Sequence, residues 1–132
     1  MPCCGYLSLT HPLALVHIRR MKNFMAIHSV HSDEAAEQYK EYFKTVYSEN
    51  LTHGEWAATS TGDFATAIQT WQGMKSDFYC THFVAENEEQ VYKQIEAWGI
   101  TQFCSSIVFE TERFTSAFMP ADQKVDQHYF SR

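Results

Sequence analysis

With 132 residues, 45% of them hydrophobic, 15% aromatic and 20% charged, the chain has material for one compact domain and not for two of ordinary size. Ten Lys plus Arg stand against sixteen Asp plus Glu, a net charge of -6, and three of the bases (Arg19, Arg20 and Lys22) precede the first acid, Asp33. The acidic body that follows repels phosphate backbones, so no nucleic-acid partner is expected.

Cys3, Cys4, Cys80 and Cys104 form no CxxC pair and no disulfide-like series, which points to reduced thiols and a cytoplasmic location. On that reading the Asn50-Leu51-Thr52 sequon carries no glycan. The apolar stretch from Leu7 to Ile18 is broken by His11, Pro12 and His17 and comes before the arginines, the reverse of a signal peptide. It is also too short for a span, so no membrane partner is expected. Residues 1–22 read as an N-terminal extension. Met1-Pro2 would leave an N-terminal proline, the amine base of the tautomerase family, yet Cys3-Cys4-Gly5 does not continue into that family's alternating strand, whereas Met21-Lys22-Asn23 leads at once into one. A chain begun at Met21 is therefore expected to keep its melting temperature within a few degrees.

From Phe24 to His31 apolar residues occupy both alternating faces, as in a strand buried within a sheet. Ser32 offers an N-cap, Asp33 and Glu34 suit the positive end of a helix dipole, and Ala36, Tyr39, Phe43, Val46 and Tyr47 recur at three- and four-residue steps. This predicts a helix to about Ser48. The stretch 50–62 is irregular, with Glu55 to Ser60 a candidate for a short helical turn. Ala65 to Trp71 and Phe78 to Ala85 then read as a hairpin around Gly73, Thr66 and Thr70 favouring strand over a competing helix from Phe64 to Met74. Asn87 and Gln90 form a capping-box variant ahead of the stripe Val91, Tyr92, Ile95, Trp98, which ends at Gly99. Ser105 to Glu112 supplies a last strand, and residues 119–132 form a tail.

Strand, helix, strand, strand, helix, strand is the ferredoxin-like split arrangement, an α+β class. On Phe24-Met25-Ala26-Ile27-His28, the hairpin Thr70-Trp71-Gln72-Gly73 with Asp77-Phe78-Tyr79-Cys80-Thr81-His82-Phe83, and the helix Glu88 to Gly99, residues 23–118 resemble the dimeric α/β-barrel superfamily. The chain is also similar in texture to short uncharacterised proteins of marine bacteria. The resemblance implies a βαββαβ sheet with helices on one face, two copies pairing as a dimeric α/β barrel, and the first and third strands side by side and parallel. It licenses no activity by itself, although the superfamily includes cofactor-free oxygenases, haem-degrading enzymes and isomerases. Self-association is expected on physical grounds too, because a one-sided sheet this rich in aromatics cannot leave its second face bare at low cost.

Period two puts Phe24, Ala26, His28 and Val30 on one face of the first strand and Phe78, Cys80, His82 and Val84 on one face of the third. His28, His82, Cys80, Trp71 and Gln69 are accordingly the candidate residues of a mostly aromatic ligand pocket. Cys80, His82 and His28 could supply three positions of a metal site. A core cysteine with two backbone-satisfied histidines explains them at less cost, so neither metal nor any other cofactor is expected. His31 points away from His28, Cys104 lacks any local activating group, and Glu110, Glu112 and Arg113 read as a solvated edge. These residues fit a homodimeric protein that binds a small apolar or aromatic molecule. Two alternatives remain: a cofactor-free enzyme using His28 or His82 as acid or base, and a metal- or haem-binding protein.

Overall fold

The computed structural model describes residues 21–47 and 49–125. Along them run β1 (Lys22–Val30), α1 (Asp33–Val46), α2 (His53–Thr59), β2 (Thr66–Gln72), β3 (Phe78–Ala85), α3 (Glu88–Ala97), a 3-10 turn (Ile100–Gln102) and β4 (Cys104–Thr111). The expectations for residues 1–20, and for residues 126–132 of the tail, lie outside the described residues.

Local chemistry starts and stops the helices. The Ser32 hydroxyl accepts from the Ala35 amide at 3.0 Å, and the Asn87 side chain accepts from the Gln90 amide at 2.9 Å. The irregular stretch holds a full helical element, α2, because Thr52 and Glu55 cap each other: Thr52 Oγ1 accepts from the Glu55 amide, and the Glu55 carboxylate accepts from the Thr52 amide at 2.8 Å. Gly99 takes a φ of 75° just past α3, a left-handed turn that glycine alone adopts without penalty, and the chain then bends through the 3-10 turn into β4.

The four strands form one sheet in the order β2-β3-β1-β4, with every pairing antiparallel and the helices on one side. That is the ferredoxin-like α+β topology. One expectation is corrected here, since β1 and β3 are neighbours but run antiparallel. In this topology a helical crossover returns β2 in the direction of β1 and the hairpin reverses β3, which then slots between them.

The core lies between sheet and helices. Phe24, Ala26, Phe83 and Val108 meet Val91 and Ile95 of α3, and a second cluster gathers Tyr39 of α1 with Tyr79, Phe103 and Cys104. Gln94, buried on α3, ties the core to the loop before β2, its Oε1 accepting from the amides of Phe64 (2.8 Å) and Ala65 (3.2 Å). Gly62 gives it room, since a Cβ there would overlap the Gln94 amide. Replacing Gln94 by Ala orphans two backbone donors and should lower the unfolding free energy by about 2 kcal/mol in urea titrations. An unchanged midpoint would mean that water takes over both bonds.

Candidate functional site

The pairing register decides which side chains meet. Residues directly opposite in an antiparallel ladder share a face, and His28 lies opposite Tyr79 while Met25 lies opposite His82 and Ile27 opposite Cys80. Phe24, Ala26 and His28 therefore face the helices together with Tyr79, Thr81 and Phe83, whereas Cys80 and His82 face the other, helix-free side. The alternation within each strand is as the sequence implies; the match between strands is not. Convergence of His28 with His82 and Cys80 is thus corrected, because a register shifted by one residue swaps every partner across the sheet. The three-position metal site raised for these residues falls with it, and among the described residues no group of three His, Cys, Asp or Glu could hold a metal ion.

On the helix-free side, Gln69 lies opposite His82 and Trp71 opposite Cys80, so four of the five candidates do share a face. Of four cavities among the described residues, one has Gln69 in its wall and none gathers these candidates together. His82 is buried, its Nε2 2.9 Å from Asn23 Oδ1 and its ring edge-on to Phe114 at 4.5 Å, and burial lowers its pKa. The half-buried Cys80 thiol donates to the Met25 sulfur at 3.0 Å, and burial raises its pKa, so it stays a thiol. The rest of the face is apolar and open: Ile27, Trp71, Phe78, Ile107 and Phe109 are each between 40% and 59% exposed.

A half-open cavity lies on the opposite side, between the sheet, α1 and α2. Its volume is about 140 Å³. Tyr39, Phe43 and Val46 line it from α1 and Trp56 and Thr59 from α2, with Trp98 and Ile100 closing one end. Its sheet side is Ala67, Thr70, Thr81 and Phe83, and none of its lining residues carries a formal charge. Thr70 faces inward because β2 holds a bulge between Ala67 and Gln69, which turns Gln69 outward and the next residue in.

Below this cavity a chain of polar groups crosses all four strands. Thr70 Oγ1 lies 3.2 Å from Thr81 Oγ1, Thr81 Oγ1 lies 3.2 Å from His28 Nε2, and His28 Nδ1 lies 2.6 Å from Ser106 Oγ. His28 is 3% exposed, and burial brings its pKa down to about 4, so the ring is neutral at pH 7. It touches the cavity only through Thr81. Cys104, buried with its thiol pushed up to about 11, is no nucleophile. Thr70, Thr81 and Ser106 were missed by sequence reasoning. A bulge at Ile68 is the signal that puts Thr70 on the face of Ala67, whereas Thr81 and Ser106 join His28 only through the pairing of β3 and β4 with β1.

No protein-family model matches the chain, and no curated protein does. Among solved structures it is similar to a Nitrosomonas europaea protein that carries the provisional description antibiotic biosynthesis monooxygenase. The two share 10% identity with a TM-score of 0.38, over 70% of this chain and 91% of that one. At that distance the likeness carries no functional argument, and the fold assignment stands on strand order. Among the described residues no helix is long and apolar enough to cross a membrane.

Proposed function

We propose that this protein binds a small, uncharged, ring-shaped molecule in the helix-side cavity, and that two copies pair through their helix-free sheet faces. The observation that carries the first half is the cavity itself: about 140 Å³, walled by aromatic rings, uncharged, with two hydroxyls on its sheet side. A space of that size takes one six-membered ring, as apolar cavities of about 150 Å³ do. A haem macrocycle does not fit it. A second reading, acid–base chemistry on the bound ring, rests on the link from Thr81 to His28. Binding accounts for the site better, because both ring nitrogens of His28 are engaged and the ring does not line the cavity.

Trp56 and Trp98 line the cavity and report on it. Titration with toluene should give a saturable change in tryptophan fluorescence, and Ala67→Leu, which adds three heavy atoms to the wall, should abolish it while the far-ultraviolet circular dichroism stays as in the parent. A linear, non-saturating response in the unmodified protein would remove the binding reading.

A further inference from the structure

Resting on that reading, we infer that the cavity selects a ring bearing a hydroxyl, which donates its proton to the Thr70–Thr81 pair on the sheet side. The direction of the polar chain decides this. Thr70 Oγ1 donates to the Cys80 carbonyl at 3.2 Å, and a carbonyl can only accept, so the Thr70 proton is committed. The contact between the two threonines then has Thr81 as donor, which commits its proton as well. Thr81 Oγ1 therefore accepts from His28 Nε2–H, and the neutral imidazole accepts at Nδ1 from the Ser106 hydroxyl. Every contact is satisfied by this one assignment.

No threonine proton in that chain is left for a ligand. Each threonine oxygen has donated once and accepted once, which leaves one lone pair on each. Elsewhere in the wall, Thr59 and Ser60 spend their protons on the Trp56 carbonyl (2.9 and 2.7 Å), and Tyr42 spends its own on the Trp98 carbonyl (3.0 Å). The hydroxyl with a proton to give is that of Tyr39, on the helix side, whereas the Tyr47 hydroxyl is engaged with Thr59 Oγ1 at 3.5 Å. A bare ring would cover the threonine acceptors without pairing them, which costs free energy. An ether offers those oxygens only another acceptor. A ring hydroxyl gives its proton to the threonines and can accept from a tyrosine, so it suits both sides.

The test compares phenol, anisole and toluene by two-dimensional NMR titration of the full chain. Phenol should bind about fivefold tighter than anisole, the size of one net neutral hydrogen bond. Thr70→Val, at an exposed position, should erase that preference, because it removes one acceptor and frees the Thr81 proton to pair with an ether oxygen. Thr81→Ser should keep it. Nitrogen-15 spectra of His28 should show the Nε2–H tautomer. Toluene binding without a phenol preference, or a preference that survives Thr70→Val, overturns the hydroxyl inference and leaves the cavity reading standing; failure of all three rings to bind overturns both. An Nδ1–H tautomer overturns the proton direction itself.

Discussion

Between pH 6.5 and about 4 the protein should lose about 3 kcal/mol of stability through a single residue, His28. Its pKa falls from 6.5 in the unfolded chain to about 4 in the fold, because burial strips water from the imidazolium and offers no anion in exchange. Above pH 6.5 neither state binds the proton and the stability is fully present. As the pH falls below 6.5 the unfolded state takes up the proton first, and the loss levels off once the folded state follows near 4. Ser106 and Thr81, the groups that hold the ring, are neutral and cannot compensate the charge. Urea midpoints at pH 7.5 and 4.5 measure the effect, and the difference should shrink in His28→Gln, whose side chain does not titrate. A decline of equal size in that variant would assign the acid sensitivity to other groups, His82 first among them, since burial lowers its pKa in the same direction.

Introducing one charge on the helix-free face should have an effect of similar weight on assembly. Ile27 lies between Cys80 and Ile107 in the ladder, and Met25 between His82 and Phe109, so the exposed apolar side chains form one continuous band across β3, β1 and β4, with Trp71 extending it onto β2. Such a band marks an interaction surface, and an unpaired charge buried within one costs several kcal/mol. Sedimentation should find the unmodified protein dimeric at micromolar concentration, with melting that rises with concentration. Ile107→Lys, at a position 59% exposed, should leave the fold intact and weaken the dimer by about 100-fold or more. A clean monomer at micromolar concentration in the unmodified protein would end the pairing proposal. Phe114, which already rests on His82, shows how the chain itself can cover one end of the face.

How much of this was legible in the sequence follows from the range of each interaction. Ser32, Asn87 and Gly99 mark helix ends through bonds to residues three or four positions away, and they mark them correctly. Alternation along β1 and β3 is equally local, so Phe24, Ala26 and His28 were grouped rightly, as were Cys80 and His82. Which group of one strand faces which group of the next depends on a register set by residues more than fifty positions apart, and no local rule supplies it. His28 was assigned to the wrong company for that reason. The same limit hid the cavity. Its sheet side depends on the bulge at Ile68, and its roof on α2, a seven-residue helix with no buried residue, held by its cap and by Trp56 packed against the core.

The bulge in β2 has a further bearing, on how the molecule survives at high concentration. β2 and β4 are the two rims of the sheet. An irregular rim is a poor template for a neighbouring chain, because its free amides and carbonyls fall out of step with any straight strand laid alongside. β2 carries that protection, whereas β4 pairs with β1 in unbroken register from Cys104 to Thr111 and, among the described residues, has no strand on its outer side. Its centre, Ile107-Val108-Phe109, is the kind of β-favouring apolar run that seeds fibrils. The two rims therefore carry unequal risk of runaway strand addition. Solubility rests on what shields β4, including the Lys22–Glu110 ion pair at its far end and the mutual repulsion of an acidic chain.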